Sequence, residues 1–404
     1  MEWWIVLVLL FGSLLILMFS GLSVAFSFLL VSSGGVYFLM GEVLYHAGLV
    51  SKALDVFSKW VGAIPGRLSI VTFLIGGLFA ALSGATVAST AVLASLMVPE
   101  MMRRRYHKEM VLGPIMASGA LDMIIPPSAL TVLLGSLAEV SIGRLLINAL
   151  LPGYMLLAMY IAFVIIRCWI NPSLAPKYEF AGVSLKEKIL SGLRDLFPLG
   201  IVIFVALGLM ILGVATPTEA AALASVIAFV LAFAYRKLTL EVIRTSVFSC
   251  LQVTVMILTI IAASAAFSQI LAFSGASRGM LDLVLGMAVD PLWIVIIMLG
   301  VVVLLGCFIE QVSIMMITLP IFMPIVKAMG MDPIWFCILV LLCLSIGQLS
   351  PPFGLALFVM KATSPPEVTL KDIYRAAWPY CVIDVVGLAL VIYFPILATW
   401  FKGT

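Results

Sequence analysis

One carboxylate and two prolines stand close together in the stretch GALDMIIPPS, residues 119–128. Asp122 is the only charged residue in the apolar stretch 110–138, and Pro126 and Pro127 follow it closely. A carboxylate is costly at membrane depth, and a proline pair interrupts helical hydrogen bonding. Carbonyl oxygens that are freed at such a break can hold Na⁺. The stretch therefore predicts a cation site beside a broken helix.

A second proline pair has similar surroundings. It lies in LSPPFG (349–354), inside the apolar stretch 333–360. Each pair follows a long apolar segment with polar or small residues at its midpoint, SGAT (83–86) in the first and CFIEQVS (307–313) in the second. Glycine allows close backbone approach, and serine or threonine adds a hydroxyl ligand. The sequence thus predicts two related cation sites.

The composition identifies the environment of these residues. Of the 404 residues, 64% are hydrophobic and 10% are charged, whereas soluble chains carry roughly a quarter charged residues. The chain is therefore an all-α polytopic membrane protein, and its net charge of +3 gives no reason to expect nucleic acid as a partner.

The two histidines fall near segment ends, so neither supplies a metal site or a catalytic base at membrane depth. The six cysteines lack CxxC spacing and are predicted to pack as small apolar side chains: Cys168, Cys250, Cys307, Cys337, Cys343 and Cys381.

Segments of about 20 apolar residues predict the full spans. They are 3–20, 24–40, 152–171, 197–213, 217–235, 251–272 and 378–400. The first lacks a basic flank and leads into further apolar segments, so we interpret it as a retained span and not as a secretory signal. Three amphipathic pieces, 51–60, 183–195 and 277–286, are either helices on the membrane surface or solvated loop helices.

Two further segments are too long for one span. Residues 68–99 carry no charge, and one helix of that length would reach about 48 Å across a core of about 30 Å. Two shorter helical arms that meet at Ser83 and Gly84 would instead enter the membrane and return to the same face of it. The segment 291–326, with 307–313 at its midpoint, has the same form. Both are predicted to be re-entrant helical hairpins.

The hairpins and the helix breaks occur twice along the chain at a constant spacing. Pro126-Pro127 and Pro351-Pro352 lie 225 positions apart, as do Pro99 and Pro324. The basic run 103–108 predicts that the first hairpin opens to the cytoplasm. Five crossings then separate the two hairpins, which makes the repeats inverted. We divide the chain accordingly into scaffold helices and a surface arm (1–65), a first transport unit (66–138), surface arms and scaffold helices (139–290), a second transport unit (291–362), and a surface arm with the terminal helix (363–404).

Other interpretations of these residues remain open. SGAT could be a small-residue packing face, and the proline pairs could be plain kinks. Asp122 could bind a cation, carry a proton, stay protonated and hydrogen-bonded, or pair with another subunit. Glu310 has the same alternatives. Glu219 follows Thr216 at the start of a helix, where a carboxylate favours the helix dipole, so a structural role is expected there.

Four stretches resemble the large membrane subunit of tripartite ATP-independent periplasmic (TRAP) transporters. They are SGATVASTAVLASLMVPEM (83–101), IIPPS with VSIGRLLINALLPG (124–153), GVATPTEAAA (213–222) and GQLSPPFGLALFV (347–359). The resemblance covers nearly the whole chain in the expected order. It implies an inverted-repeat elevator fold in the cytoplasmic (inner) membrane of a bacterium or archaeon. It also implies Na⁺-coupled uptake of small organic anions, with Na⁺ as coupling ion and no other cofactor.

The resemblance implies site residues and partners as well. One Na⁺ site falls on Ser83, Gly84, Thr86, Gly119, Asp122, Ile125 and Pro127, and the other on Gly306, Gly347 and Ser350. The charge of Glu310 at the second tip adds this residue to the second site. Substrate lies between the hairpin tips, near Ser83, Ala85, Thr86, Ser128, Gln311, Ser313 and Gln348. The partners are a small membrane subunit of about four helices and a periplasmic substrate-binding protein.

This sequence departs from the family pattern at two of these positions. Asp122 stands where the family usually has glycine, and Ser350 stands where threonine is common. The serine keeps the hydroxyl, whereas the aspartate adds a negative charge. Proton-coupled or mixed ion-coupled transport through Asp122 is therefore the alternative to Na⁺ coupling.

Two other classes of protein fit the sequence less well. An intramembrane enzyme would need a motif such as GxSxG with histidine, or HExxH, and neither occurs. A channel does not require paired hairpins. Substrate identity stays open at this stage.

Overall fold

The computed structural model describes residues 33–62, 64–83, 86–176, 184–273, 286 and 289–402, and this part of the chain is helical. The first helices are α1 (Ser33–His46), α2 (Leu49–Val61), α3 (Arg67–Ser83), α4 (Thr86–Arg103), α5 (Lys108–Leu121), α6 (Ala129–Leu137) and α7 (Ile142–Ile170). The rod α8 (Lys186–Ile211) contains two π-helical segments. The later helices are α9 (Pro217–Ala234), α10 (Leu240–Phe273), α11 (Pro291–Gly306), α12 (Gln311–Ala328), α13 (Pro333–Leu349), α14 (Leu355–Thr363), α15 (Leu370–Tyr393) and α16 (Ile396–Thr399).

Two pairs of helices stand where the hairpins were predicted. Helices α3 and α4 contain 17 and 18 residues, and α11 and α12 contain 16 and 18. At 1.5 Å per residue each arm is about 24 to 27 Å long. The arms of each pair pack against one another. The arms of the first pair end at Ser83 and begin again at Thr86, and in the second pair the chain turns between Gly306 and Gln311.

Both proline pairs interrupt helices as predicted. Helix α5 ends at Leu121 and α6 begins at Ala129, and α13 and α14 are separated in the same way. The Pro126-Pro127 and Pro351-Pro352 bonds are both cis. Helices α5 and α13 contact each other and are covered by neighbours on all sides, so almost every residue in them is buried. The two breaks therefore lie at the ends of two helices that are almost entirely buried.

The order of elements repeats along the chain. Helices α4 and α12 begin 225 positions apart, α5 and α13 also 225, α6 and α14 226, and α7 and α15 228. The spacing found from proline positions thus describes the helices themselves. Each unit consists of a helical hairpin, a broken helix and one long helix.

Several predicted spans were too short. Five described helices are long and apolar enough to cross a membrane: Ile142–Ile170, Lys186–Ile211, Pro217–Ala234, Gln311–Ala328 and Leu370–Tyr393. The predicted span 152–171 is the end of α7, which begins at Ile142 because Ser141 caps it by accepting from the Arg144 N–H. The predicted piece 183–195 likewise runs into the span of α8, and 251–272 lies inside α10. The predicted spans began only after the charged residues in the first turns of these helices, and for 183–195 those charges were interpreted as a separate surface segment.

Other predicted segments agree with the helices or lie outside the described residues. Helix α2 contains the predicted amphipathic piece 51–60, and α9 matches 217–235. Residues 3–20 are not described, and of 24–40 only 33–40 are, at the start of α1. Of 277–286, only Gly286 is described.

Contacts between distant segments group the loops into two ends. At the first end, the Nζ atoms of Lys59 and Lys108 reach Glu187 and Asp372 at 3.0 and 2.8 Å, and the His107 N–H donates to Leu174. At the second end, the Asn148 side chain donates to the Phe401 carbonyl and the Trp335 indole to the Val391 carbonyl. The base of the first hairpin lies at the first end, where the Leu68 N–H donates to the Tyr106 hydroxyl next to His107. The base of the second hairpin lies at the second end, where Gly330 and Met331 line one cavity with Arg144.

Helix caps account for several charged residues. Thr216 and Glu219 form a capping box at the start of α9, in which each side chain accepts from the backbone N–H of the other. Thr369 and Asp372 do the same for α15. The structural role predicted for Glu219 is therefore confirmed. Five of the six cysteines are buried and Cys307 is half-buried; none forms a disulfide.

Candidate functional site at the two helix breaks

The carboxylate of Asp122 is fully buried at the end of α5. Neither oxygen has a partner at full hydrogen-bond geometry among the described residues; the side chain that interacts with the carboxylate is Ser89 of α4, which is neutral. A buried charge without a partner costs several kcal/mol of folding free energy, so such groups pair with a cation or become neutral. Asp122 is therefore the strongest single indication of a cation site in the described part of the chain.

Backbone oxygens are free beside this carboxylate. In the first break (residues 122–128), the carbonyls of Ile124, Ile125 and Pro126 accept no backbone hydrogen bond within the described residues. The negative end of the α5 dipole also points toward this break. Hard oxygen donors and a negative charge suit an alkali cation, so the residues present fit Na⁺.

The other residues predicted for the first site have varied surroundings. Ser83 and Thr86 are the residues on either side of the hairpin tip, whose Gly84 and Ala85 lie outside the described residues. Gly119 is still helical, and its carbonyl accepts from the Asp122 N–H. Ser128 is buried as the cap of α6 and accepts from the Thr131 N–H. The Ser128 oxygen accepts this one bond, and its O–H group stays available as a donor, so substrate binding by Ser128 remains a prediction.

At the second site the hairpin and the broken helix touch backbone to backbone. A Cβ atom added to Gly347 would lie 2.6 Å from the Cα of Gly306, and one added to Gly306 would lie 2.8 Å from the Cα of Gly347. Only two glycines permit this approach. The contact brings the end of α11 beside the end of α13, so two helix C-termini, each with negative dipole character, converge there. This convergence favours a cation.

Two glutamine side chains lie beside this contact. The Gln311 Nε2 donates to the Gln348 Oε1 at 3.0 Å, and both side chains are buried. The Gln348 Nε2 has no acceptor among the described residues. Gly354, the first residue before α14, lies directly against the Gln348 carbonyl and provides no side-chain cap. A free amide donor and an uncapped helix N-terminus thus occur together, which suits an anionic group.

Glu310 and Ser350 have structural partners that the sequence did not reveal. The Glu310 carboxylate caps α12 by accepting from the Val312 and Ser313 N–H groups at 3.1 and 3.3 Å. Ser350 donates its hydroxyl to the Ile346 carbonyl at 2.7 Å. The hydroxyl oxygen retains lone pairs for a cation, whereas the Glu310 carboxylate is largely committed to the helix.

The two sites share a register but differ in charge. Asp122 and Gly347 lie 225 positions apart, the same spacing as the starts of α5 and α13. Where the second unit has the glycine of the backbone contact, the first unit has a carboxylate. The first site thus has a buried carboxylate, whereas the second has helix dipoles, neutral oxygens and the Glu310 carboxylate, which already caps α12.

Sequence reasoning missed a second buried carboxylate. Asp384 of α15 is fully buried and accepts from the Tyr160 hydroxyl of α7 and, at 3.3 Å, from the Ser345 hydroxyl of α13. It is the only charged residue between Arg375 and Lys402. The criterion that identified Asp122, a lone charge in an apolar segment, would have identified it too. Because Asp384 has two donors, it joins three helices and differs in kind from Asp122.

We expect Asp384→Ala to lower the melting temperature of the purified protein. The substitution leaves the Tyr160 and Ser345 hydroxyls buried without an acceptor, at a cost of about 1–3 kcal/mol each. Asp384→Asn keeps one acceptor oxygen and should lose less. Thermal unfolding followed by tryptophan fluorescence measures both. The difference in melting temperature between wild type and variant should be the same in Na⁺ and in choline buffer; a variant that loses Na⁺-induced stabilisation would place Asp384 in a cation site instead.

Comparison with known proteins gives a consistent result. The family model described as "Tripartite ATP-independent periplasmic transporter, DctM component" matches residues 14–397. The C4-dicarboxylate TRAP transporter large permease protein DctM of Pseudomonas aeruginosa is 32% identical, over 89% of this chain and 83% of that protein. The isethionate TRAP transporter permease protein DctMQ of Oleidesulfovibrio alaskensis is 28% identical, over 91% of this chain and 57% of that longer protein.

A solved structure has the same fold. It is the crystal structure of the YdaH transporter of Alcanivorax borkumensis, with a TM-score of 0.64 at 14% identity. The match covers 91% of this chain and 84% of that chain. At this level of identity the match supports the fold alone.

Proposed function

Since this chain belongs to the DctM component family of tripartite ATP-independent periplasmic transporters, we propose that it takes up a small organic anion with Na⁺ as the coupling ion. The observation that carries the Na⁺ assignment is the first break. There a buried carboxylate with no cationic partner among the described residues lies beside freed backbone carbonyls. A secondary transporter binds its coupling ions at such broken helices near the membrane midplane.

The substrate is a carboxylate or a sulfonate in this proposal. The relatives named above include a permease for C4-dicarboxylates and one for isethionate. The free Gln348 amide and the uncapped start of α14 supply neutral donors that accept either kind of anion. Much of the selectivity is assigned to the periplasmic binding protein that delivers the substrate.

We propose that the two units are inverted repeats and that they carry the substrate across the membrane by an elevator mechanism. The loop contacts that group the two hairpin bases at opposite ends of the helices support this assignment. Basic residues concentrate at the first end, which the positive-inside rule assigns to the cytoplasm. The backbone contact of Gly306 with Gly347 supports a hairpin and a broken helix that travel as one body.

Two partners complete the proposed system. A small membrane subunit packs on the scaffold helices, and a periplasmic substrate-binding protein docks on the outer face. The fused name DctMQ of the isethionate permease, and its greater length, agree with a second membrane component. The location in this proposal is the cytoplasmic (inner) membrane.

Uptake into proteoliposomes tests the proposal. The large subunit, the small subunit and the binding protein loaded with a radiolabelled C4-dicarboxylate or isethionate should accumulate substrate only under an inward Na⁺ gradient. Omitting any component should reduce uptake to the level of empty liposomes. Equal uptake in Na⁺-free choline buffer would contradict the Na⁺ assignment.

The unpaired carboxylate of Asp122 also supports a second candidate, proton-coupled or mixed ion-coupled transport. The same proteoliposomes distinguish it. A pH gradient without Na⁺ would then drive accumulation, and a proton ionophore would abolish it. Under Na⁺ coupling the ionophore leaves the initial rate of Na⁺-driven uptake nearly unchanged when the membrane potential is clamped with potassium and valinomycin.

A further inference from the structure

A cavity of about 530 Å³ opens at the first end of the molecule, away from both breaks. Its polar wall is formed by side chains of α7, α15 and the start of α5, and its apolar wall by the last turns of α7 and the segment that follows. The lining residues are His107, Glu109, Phe163, Ile166, Arg167, Ile170, Asn171, Leu174 and Arg375. Neither the cation sites nor the substrate site uses any of them.

The charges of this cavity do not balance. Glu109 is buried and accepts from both Arg167 and Arg375, the latter at 2.7 Å from its Nε. Each guanidinium has five N–H donors in a planar fork, so one carboxylate leaves most of them unused. The neighbouring Lys108 and Asp372 neutralise each other at 2.8 Å. Two arginines against one glutamate therefore leave one net positive charge in the cavity.

The apolar wall of the cavity continues onto an exposed apolar surface. Ile166, Trp169 and Ile170, in the last turn of α7, are 55%, 76% and 74% exposed. Tryptophan is typical of the level where lipid headgroups meet the hydrocarbon core. The guanidinium of Arg167 also lies over the Phe163 ring at 5.6 Å. Cationic groups and an exposed apolar surface that could contact acyl chains thus occur side by side.

We propose that this cavity binds the phosphate headgroup of an anionic phospholipid from the cytoplasmic leaflet. The phosphate accepts from the free N–H groups of Arg167 and Arg375, which form charge-assisted and bidentate hydrogen bonds with phosphate. The acyl chains lie along Ile166 and Ile170. Basic pockets between membrane helices on this side of a bilayer bind such headgroups. Bound lipid would hold α15 against α7 and stabilise the first end of the molecule.

The test uses the purified complex with its small subunit in nanodiscs of phosphatidylcholine, with and without phosphatidylglycerol. Native mass spectrometry counts retained lipids, and thermal unfolding reports stability. Wild type should retain one phosphatidylglycerol and melt at a higher temperature when that lipid is present. Arg375→Gln, which leaves Arg167 to pair with Glu109, should weaken retention about tenfold. The matched control is Arg194→Gln, an exposed arginine of α8 outside the cavity, which should behave as wild type.

Three outcomes would overturn the inference. Equal retention in the two arginine variants would show that the cavity does not hold the lipid. Displacement of the lipid by millimolar inorganic phosphate would assign the site to a free anion. Lipid binding to the isolated chain but not to the complex would show that the small subunit covers this surface. None of these outcomes bears on Na⁺ coupling, which the uptake assay tests separately.

Discussion

Gly347→Ala is expected to reduce substrate uptake at least tenfold. The new methyl group would lie 2.6 Å from the Cα and 2.9 Å from the carbonyl carbon of Gly306, distances that no side-chain adjustment can relieve. Forcing extra volume into a packed contact costs about 1–3 kcal/mol, and here the backbone itself must move. The hairpin tip and the second break would separate, which would disrupt the proposed second cation site and the neighbouring glutamine pair. Initial rates in the proteoliposome assay measure the effect.

Gly300→Ala is the matched control for this substitution. Gly300 lies on the same helix, α11, and a Cβ atom there would meet nothing within 4 Å. Alanine favours a helix by up to about 1 kcal/mol over glycine, so uptake and stability should be preserved. Gly306→Ala should behave like Gly347→Ala, because it adds a methyl group to the other side of the same contact. Normal uptake by both Gly306→Ala and Gly347→Ala would show that transport does not depend on the backbone contact between these two glycines.

Asp122→Asn is expected to raise the Na⁺ concentration for half-maximal stabilisation at least tenfold. Amide and carboxylate have nearly the same shape, so the substitution removes the charge and leaves the packing in place. Losing one partner of a buried charge pair typically costs about 3–5 kcal/mol, and every 1.4 kcal/mol is a factor of ten. In choline buffer the variant should melt above wild type, since wild type then buries an unpaired carboxylate. Thermal unfolding across a Na⁺ series measures both effects.

The control for Asp122→Asn is Asp332→Asn at the start of α13. Asp332 caps that helix by accepting from the Ile334 and Trp335 N–H groups, and asparagine caps equally well. Its Na⁺ response should match wild type. If Asp122→Asn also responds to Na⁺ as wild type does, the carboxylate is no part of a cation site.

The sequence predicted the parts of this fold that depend on chain length and helix-breaking residues. Residues 68–99 are too long for one span, and two proline pairs mark the breaks. Those signals are local, and the observed helices begin and end close to the predicted tips and breaks. The start of α7 was misjudged because Arg144 lies in a helix that continues unbroken to Ile170. A charge in the first turn of a long helix does not by itself mark a separate segment.

Side-chain partnerships were harder to anticipate. Nothing in the order of residues shows that the Glu310 carboxylate folds back onto the N–H groups of its own helix, or that Gln311 meets Gln348. The approach of Gly306 to Gly347 depends on two helices far apart in sequence. Asp384, by contrast, was visible as a lone charge in an apolar segment, and the same reasoning that selected Asp122 applies to it.

The carboxylate of Asp122, where the second unit has Gly347, also bears on how membrane voltage acts on the proposed cycle. A Na⁺ ion paired with this carboxylate crosses as a neutral unit, so the potential does no work on that pair during inward movement. The empty site then carries its negative charge outward, and an inside-negative potential of 100 mV favours that step by about 2.3 kcal/mol. With a neutral residue at this position, the voltage would instead drive the loaded step.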